Sequence, residues 1–488
     1  MNKHPSLKIW CGALLGAAAG GCSLTPAPIT PDIVSEIQAS DHFSAKTAAS
    51  VAPTQTTAWW VDVGGQELDG LVQQLLSQSL VLEEVRLQAE QAQEVARITR
   101  GQRLPSVVAI GDVSTSRSPD FQGDFSWSES YSAGALLDFN TDIFGGLRAS
   151  ERAADLNAIA ADLAIQSAEQ REIAILARNW VSAATLQRRL DLAKRTADSF
   201  QTTYELTNQR YSAGSASVSA SDVQIALQNL ETALIDIPQI ETDLTRQFLV
   251  LDEQLAISPG NSQSSFRGDF ITTTPFTPAA GSPAQLLSNR PDVASAELRY
   301  RAALEDVGAA RANLYPALSL SASLTFQADE PGDLFDLDRY ISSLASSLTA
   351  PVFQGGRLRA QVRLEEAQAG ELATAFARTA LAAVVDVELA LADLSGLEQQ
   401  RERSVAALET ARISNDLAQG RYEQGLTSIL SVLETQRSLN ASEQTLILTD
   451  QAIANARIDL FLSLGGDWFG STQPSRADGD TLDPGANS

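Results

Sequence analysis

The sequence predicts a mainly α-helical chain that also carries four β-strands, which complete a membrane β-barrel only when several chains assemble. Three observations predict this fold class. Long stretches of the 488-residue chain lack proline and place apolar residues at helical spacing. Four short segments alternate apolar and polar residues, as membrane strands do. The whole pattern occurs twice along the chain, which indicates an internal repeat.

Composition excludes several classes of function. The chain has 35 Lys+Arg against 60 Asp+Glu and a formal net charge of −25, which repels nucleic-acid phosphates. Its two histidines, His4 and His42, and two cysteines, Cys11 and Cys22, are too few for a zinc centre or a Cys–His catalytic pair. No phosphate-binding loop of the G-x-x-x-x-G-K-[ST] type occurs. We therefore expect no enzyme activity, no metal, no cofactor and no nucleic-acid partner.

Residues 1–21 have the pattern of a secretory signal peptide. Lys3 and Lys8 precede an apolar run over residues 9–19, which is too short to span a bilayer. The small residues Gly20 and Gly21 stand directly before Cys22, as in a bacterial lipobox, so we expect a covalent lipid on Cys22. The alternative is an ordinary signal peptide that happens to contain this cysteine. Residues 22–103 then form a lipid-anchored segment and a helix at about 68–100.

Two hairpins are predicted, in segments 104–145 and 315–355. The strands of the first hairpin are Leu104–Arg117 and Phe125–Asn140, and those of the second are Tyr315–Gln327 and Tyr340–Phe353. Apolar residues alternate with serine and threonine, which is typical of outer-membrane strands. The aromatic residues predicted to lie at the membrane edges are Phe125, Trp127, Tyr131, Phe326 and Tyr340. The alternative is an amphipathic hairpin that lies on a soluble core.

Four strands are too few to close a barrel, because about eight are the minimum for a small filled one. A chain that inserts these strands in a membrane must therefore oligomerise. Two chains would supply eight strands with no useful bore, and three chains would supply twelve.

The remaining segments are helical or irregular. The first long helical hairpin occupies 146–257, with helices at about 146–211 and 221–255, and the second occupies 356–466, with helices at about 356–422 and 428–464. Each long helix would reach about 100 Å if straight. Residues 258–314 form a connection and a helix at about 284–314, and residues 467–488 form a disordered polar tail. The positions at coiled-coil spacing are Val384, Val387, Leu391 and Leu394 in one long helix, and Ile173, Leu176 and Trp180 in the other.

The repeat has matched landmarks. Arg210-Tyr211-Ser212-Ala213-Gly214 recurs 211 residues later as Arg421-Tyr422-Glu423-Gln424-Gly425. Leu104-Pro105, at the start of the first hairpin, has its counterpart in Tyr315-Pro316 at the same offset. Landmarks that recur in the same order indicate two structurally similar halves.

Several of these residues resemble the outer-membrane efflux protein family, specifically the lipoprotein factors of resistance-nodulation-division (RND) tripartite pumps. The most specific stretch is Arg290-Pro291-Asp292-Val293, followed by the block from Gly308 to Pro316. Trp59-Trp60 and the two Arg-Tyr-x-x-Gly turns also match. The resemblance implies a homotrimer in the Gram-negative outer membrane, with a twelve-stranded barrel continued by a periplasmic α-barrel. It also implies a passive exit duct for drugs or other small molecules, which works with a periplasmic membrane-fusion adaptor and an inner-membrane RND transporter.

In this interpretation, the gate lies at the helix turns near Gly214 and Gly425. Next to these turns, the sequence has Arg210, Tyr211, Arg421 and Tyr422. These four residues either latch neighbouring helices and help to dock the adaptor, or cap and brace their own hairpins.

Relatives carry a ring of carboxylates near this tip that narrows the pore and selects cations. Here Thr427 and Ser431 stand at the expected acidic positions of the second half. The first half keeps Asp222, after a turn two residues longer, so Asp222 is the candidate for the ring. The alternative is that Asp222 caps a helix beside Ser221.

Two other functions remain open from the sequence. The same architecture could serve as the exit duct of a type I protein secretion system. The chain could also be a lipid-anchored periplasmic coiled-coil scaffold without a pore, although such a scaffold leaves the alternating strands unexplained.

Overall fold

A computed structural model of the chain describes residues 24–40, 43, 58–119, 121, 123–268, 283–334, 336 and 340–465. The predicted signal peptide, Cys22 and the tail at 467–488 lie outside the described residues. The helices are α1 Asp32–Gln38, α2 Trp59–Gln78, α3 Leu80–Gly101, α4 Gly146–Ser212, α5 Ala220–Gln254, α6 Asn261–Ser265, α7 Pro283–Asn289, α8 Pro291–Ala312, α9 Arg357–Glu423 and α10 Ile429–Ser463. The strands are β1 Ser106–Pro119, β2 Phe125–Thr141, β3 Ala317–Ala328 and β4 Tyr340–Thr349.

The two halves of the chain have matching helices, which confirms the repeat. Helices α4 and α9 each contain 67 residues, and α5 and α10 each contain 35. Both ends of α9 lie 211 residues after the corresponding ends of α4. The offset that the sequence motifs indicated therefore holds along the full length of the long helices.

The strands form one antiparallel sheet in the order β1-β2-β3-β4. Strand β2, from the first half, pairs with β3, from the second half. The two hairpins are thus joined side by side within one chain, and β1 and β4 are the edge strands.

Two compact units make up the chain. The first comprises the described part of residues 1–34, Arg86–Ala164 and Asp292–Thr379. It contains the sheet and a small core in which Val307 of α8 packs near Ala369 of α9. Glu151 of α4 accepts hydrogen bonds from Arg100 and Arg103, so it ties the start of α4 to the end of α3.

The second unit comprises the described parts of Ser35–Val85, Ile165–Pro291 and residues 380–488. Its main core contains the coiled-coil positions Ile173, Leu176 and Trp180, all buried as predicted. In α9, Val387, Leu391 and Leu394 are buried and Val384 is half-buried, so the other set of positions at coiled-coil spacing is also confirmed. The Trp59 ring stacks on the Phe461 ring of α10 with 5.2 Å between centroids, which gives the Trp59-Trp60 motif a packing role.

Two single helices predicted from the sequence are each two helices. The predicted helix at 68–100 breaks at Ser79, which has an extended backbone between α2 and α3. The predicted helix at 284–314 breaks at Arg290, because Pro291 has no N–H and disfavours a helical conformation at the preceding residue. Strand β4 ends at Thr349, four residues before the predicted end at Phe353, and Pro351 in this stretch cannot donate to a ladder.

Candidate functional site

The two Arg-Tyr-x-x-Gly turns are Schellman motifs that end the long helices. The N–H of Gly214 donates to the Tyr211 carbonyl at 3.0 Å, and the N–H of Ser215 donates to the Arg210 carbonyl at 3.1 Å. The second turn repeats this pattern from Gly425 and Leu426 to Tyr422 and Arg421, at 2.9 and 2.8 Å. Gly214 and Gly425 have φ values of 77° and 74°, which a residue with a Cβ adopts only with strain. Glycine is therefore the residue that fits both reversals without backbone strain.

Arg210 joins the two halves at these turns. Its Nη1 donates to the Tyr422 carbonyl at 2.8 Å and its Nη2 donates to the Glu423 carbonyl at 2.9 Å. These carbonyls lie at the C-terminus of α9, where the helix dipole favours a cation. The guanidinium also lies 4.5 Å from the centroid of the Tyr422 ring. Arg210 thus connects α4 to the end of α9, as expected from the first of the two sequence-based interpretations, in which it latches neighbouring helices. It does so by capping the long helix of the other half, not by bracing its own hairpin.

Tyr422 is held at its ring and at its hydroxyl. Arg210 covers the ring, and the hydroxyl lies 3.3 Å from Thr207 Oγ1 of α4. Only 3% of its surface is exposed, and its ring belongs to the apolar core near the tip. Tyr211, its counterpart in the first half, is 46% exposed. The four predicted tip residues therefore differ: Arg210 and Tyr422 form one contact, and Tyr211 and Arg421 lie at the surface.

Asp222 forms a capping box at the start of α5, with Ser219 as the N-cap. The Asp222 carboxylate accepts from the N–H and the hydroxyl of Ser219, both at 2.8 Å, and the Asp222 N–H donates to Ser219 Oγ at 3.3 Å. The capping role that the sequence left as the alternative is thus present, but beside Ser219, and α5 begins at Ala220 rather than at the expected Ser221. Asp222 is partly exposed, so the cap leaves its role in a ring of several chains as a prediction.

The second half lacks this box. Ser428 is the N-cap of α10, and its side chain makes no capping hydrogen bond. Counted from the N-caps, Ser431 stands where Asp222 stands in the first half, and a serine there cannot supply the carboxylate. Thr427 lies in the turn, half-buried. Of the three candidate ring positions, only Asp222 can therefore supply a carboxylate.

The Arg290-Pro291-Asp292 block lies at the break between α7 and α8. Arg290 Nη1 donates to the carbonyl of Ser463, the last residue of α10, at 2.9 Å. Pro291 opens α8, and the Asp292 carboxylate accepts from the N–H of Val293 at 2.9 Å in the first helical turn. The block therefore lies at the end of α7, starts α8 and caps the C-terminus of α10.

The sheet has one apolar and one polar face, in register across strands. Ala133, Ala135 and Leu137 of β2 are opposite Phe326, Leu324 and Ala322 of β3, so apolar residues pair with apolar residues. The polar face carries serine pairs, with Ser116 Oγ 2.9 Å from Ser128 Oγ and Ser323 Oγ 2.7 Å from Ser343 Oγ. The predicted alternation is thus confirmed most clearly in β3. In β4, Ser342 and Ser346 lie on the apolar face and Ile341 on the polar face, and Val108 of β1 is opposite Leu136 on the polar face. Large side chains on the apolar face that are exposed in the single chain are Val107, Val113, Phe125, Trp127, Leu324, Tyr340, Leu344 and Leu348.

The five predicted edge aromatics lie on the apolar face, in the half of the sheet nearer the hairpin loops. Phe326 is opposite Tyr340 next to the second loop, and Phe125 opens β2 next to the first. Arg117 lies with its guanidinium 5.1 Å from the Phe125 ring centroid and 5.7 Å from that of Trp127. Tyr131 donates its hydroxyl to Glu129 at 2.9 Å, which gives the one carboxylate on this face a partner.

No helix in the described part of the chain is long and apolar enough to cross a membrane. Among the same residues, no group of three or more His, Cys, Asp or Glu side chains is placed to hold a metal ion.

Comparison with known proteins matches this architecture to one family. The outer membrane efflux protein family matches residues 71–256 and 282–466, which together span both halves. The chain belongs to the outer membrane efflux protein family. It is 30% identical over 465 residues to the pyoverdine export outer membrane protein OpmQ of Pseudomonas aeruginosa, covering 93% of this chain and 96% of OpmQ. It is 27% identical to the cation efflux system protein CusC of Escherichia coli, covering 94% and 98%.

Solved structures agree with the family assignment. A crystal structure of a membrane protein from Pseudomonas aeruginosa superposes with a TM-score of 0.80 at 29% identity, covering 91% of this chain and all of that one. The outer-membrane channel OprN superposes with a TM-score of 0.83 at 24% identity, covering 92% and 100%. The family resemblance, the fold class and the outer-membrane efflux function read from the sequence are confirmed.

Sequence reasoning missed two features of the site in this family member. It offered Arg210 as a latch between neighbouring helices but did not name its partners, because these are backbone carbonyls 212 and 213 residues away, which leave no signal in a sequence. It also did not give Arg290 a capping role. The signal for Arg290 was present, since an arginine before a proline marks a helix end, but its target lies 173 residues later in the chain.

Proposed function

We propose that three copies of this chain assemble as a homotrimer in which twelve strands close one barrel in the outer membrane. The observation that carries this proposal is the four-stranded sheet with two free edges and an exposed apolar face. Edge strands β1 and β4 have unpaired backbone groups that lipid cannot satisfy, so each must pair with a strand of another copy. An exposed face that carries large apolar side chains on all four strands matches a surface that lipid covers.

In this assembly the polar face lines the bore and the long helices continue it as a periplasmic α-barrel. Serine side chains on this face, such as Ser128 and Ser343, would present hydroxyls to water in the barrel. The duct conducts passively and has no catalytic role. An inner-membrane RND transporter supplies the energy, and a periplasmic membrane-fusion adaptor connects it to the tip near Gly214 and Gly425.

We propose organic small molecules, drugs among them, as the substrates. The relative OpmQ is named for pyoverdine export, and pyoverdine export is also named for its Pseudomonas putida counterpart at 30% identity. CusC, named for cation efflux, is 27% identical, so cations are the second candidate.

A covalent lipid on Cys22 is part of the proposal. Residue 22 lies outside the described residues, and the support is the Gly20-Gly21-Cys22 sequence together with the relative SilC, named a probable outer membrane lipoprotein, at 26% identity. Cys22→Ser should abolish labelling of the chain by radioactive palmitate while the barrel still inserts. A labelled Cys22→Ser chain would contradict lipidation at this residue.

Two alternatives account for fewer observations. A periplasmic scaffold without a pore would leave Leu344, Trp127 and their neighbours on the apolar face in water. The exit duct of a type I protein secretion system would use the same sheet and helices, and substrate measurements separate it from small-molecule efflux.

The decisive experiment is the protein mass of the particle that detergent extracts from outer-membrane fractions, with bound detergent subtracted. We expect about three times the mass of one chain, which is 52.0 kDa with its signal segment. The same particle should conduct ions in a planar bilayer, and cells without the chain should accumulate the organic substrates of the pump. A monomer released without detergent would overturn the proposal and favour the scaffold.

A further inference from the structure

The contact between Arg210 and Tyr422 has a repeat-related counterpart. Helices α4 and α9 correspond residue for residue at an offset of 211, and both end in Schellman motifs with glycines of nearly equal φ. Moving Arg210 by one repeat gives Arg421, and moving Tyr422 back by one repeat gives Tyr211. Local geometry around these two residues therefore matches that around the pair that is already in contact.

Within one chain this second pair does not form. Tyr211 is 46% exposed where Tyr422 is 3% exposed, and Arg421 is exposed. Neither side chain has a hydrogen-bond, ion-pair or ring partner among the residues that the structure describes. Arg421 and Tyr211 have the same local geometry as the pair in contact, yet both are exposed. This indicates that each finds its partner in another molecule.

We propose that Arg421 of one copy lies over the Tyr211 ring of the next copy and donates to the carbonyls of Tyr211 and Ser212 there. The inference rests on the proposed ring of copies. In a closed ring, contacts between copies are heterologous, so the second half of each chain meets the first half of the next. The Arg210–Tyr422 contact joins the halves within a chain, and its counterpart joins them between chains.

The chemistry favours this contact for the reasons that hold within the chain. The last carbonyls of α4 carry the negative end of the helix dipole, and a guanidinium fork can donate to two of them at once. The exposed Tyr211 ring offers a face for the cation. In the interface between copies, Arg421 thereby caps the C-terminus of α4, and the single chain does not supply this cap.

The two contacts differ at one position, which makes the one between copies weaker. Thr207, whose hydroxyl lies 3.3 Å from the Tyr422 hydroxyl, corresponds to Ala418 in the second half. Alanine has no hydroxyl, so the Tyr211 hydroxyl has no equivalent hydrogen bond in the interface between copies. We therefore expect the tip to separate between copies before it separates within a chain.

Photo-cross-linking of the full-length trimer tests this contact. Tyr211 is replaced by benzoylphenylalanine, the purified particle is irradiated, and the denatured chains are separated by mass. We expect a band at twice the chain mass, in which mass spectrometry joins residue 211 to a peptide containing residue 421. Arg421→Ala should lower this band severalfold. Arg412→Ala, at an exposed position on the same helix, is the matched control and should leave it unchanged.

A second measurement does not depend on the probe. Tyr211→Ala and Arg421→Ala should each lower the temperature at which the trimer dissociates. The double variant should lower this temperature no further than the larger of the two single effects, because both substitutions remove the same contact. Additive effects, or a cross-link that survives Arg421→Ala in an intact trimer, would overturn the inference and leave the proposed function standing. A wild-type particle that is not a trimer would instead refute the proposed function.

Discussion

Arg290 Nη1 donates to the carbonyl of Ser463 at 2.9 Å, although 173 residues separate them in the chain. The same nitrogen lies 3.5 Å from the Asp386 carboxylate of α9. A Cβ placed on Gly465 would lie 3.2 Å from Arg290 Cγ, so the arginine stem passes close to the backbone just after α10. One side chain therefore fixes the end of α10 against the break between α7 and α8.

Arg290→Ala should weaken the second unit because it removes a charged cap and leaves the Ser463 carbonyl without this donor. We expect a loss of about 1–3 kcal/mol in the free energy that protects the last turn of α10. Hydrogen exchange of that turn in the purified particle measures the loss. Arg246→Ala, at an exposed arginine paired with Asp243 three residues away, should change protection little. Equal effects of the two substitutions would contradict the capping role.

Asp252 should stabilise the second unit in its charged form. It is 1% exposed and accepts from Gly260 N–H, Ser262 N–H and Ser262 Oγ at 2.6, 2.9 and 2.6 Å. Burial raises the pKa of this carboxyl, but these hydrogen bonds lower it more, so the pKa lies below its ordinary value of 3.8.

A depressed pKa means that this stabilisation is present above pH 3.8 and is lost as the pH falls through the lower folded value. Asp252→Asn should cost about 1–3 kcal/mol in unfolding free energy at neutral pH, because one acceptor oxygen and the charge are lost. The thermal unfolding midpoint at several pH values checks this, and the difference from wild type should shrink in acid. Asp236→Asn, exposed on the same helix, is the control. A difference that grows in acid would contradict the assignment.

Asp306 should have the opposite pH dependence in the first unit. Burial, together with the nearby Glu365 and Glu305, raises the pKa of its carboxyl to about 6. The folded state therefore binds a proton that the unfolded state releases, and the stability falls as the pH rises from 3.8 to about 6. Asp306→Asn should raise the unfolding midpoint at neutral pH and have little effect below pH 3.8. Glu90→Gln, at an exposed position on α3, is the control and should leave the unfolding midpoint unchanged at both pH values. A loss of stability in Asp306→Asn at neutral pH would refute this account.

Arg210→Ala should loosen the helix tip. It removes two charge-assisted hydrogen bonds at the end of α9 and the cation over the Tyr422 ring. We expect more frequent and longer open events in planar-bilayer recordings of the purified channel. Arg210→Lys should have an intermediate effect, because an ammonium cannot hold both carbonyls with fork geometry. Unchanged gating in Arg210→Ala would show that the contact does not hold the tip closed.

Leu344 and Ser343 are neighbours in β4 that point to opposite faces, so they test which face meets lipid. Leu344 is 83% exposed on the apolar face, and Ser343 pairs with Ser323 on the polar face. Leu344→Lys should cost about 2–4 kcal/mol at mid-membrane depth and lower the amount of assembled trimer. Ser343→Lys should assemble and shift ion selectivity toward anions. The reverse pattern would mean that the faces are assigned the wrong way round.

Much of the fold could be predicted, because periodicity and repeats are local signals. The alternation from Phe125 to Phe139 gave the correct face of β2, and the recurring Arg-Tyr-x-x-Gly motif gave the correct repeat offset. The break at Ser79 was missed, since nothing in the surrounding residues interrupts the helical pattern there as a proline would. The break at Arg290 was missed although Pro291 signalled it. For Asp222, the alternative to the acidic ring was a helix cap beside Ser221. The cap forms beside Ser219 instead, because helix ends depend on which hydroxyl reaches the free N–H groups.

By itself, the sequence determined the elements of this protein: two matched halves, four alternating strands too few to close alone, and long helices ended by glycine. These features follow from the spacing of residues along the chain, which fixes which side chains share a face. Only the tertiary structure decided that β2 pairs with β3, that Arg210 caps α9 and that Arg290 caps α10. The caps join side chains to backbone carbonyls, which every residue carries alike, so the choice of carbonyl comes from packing.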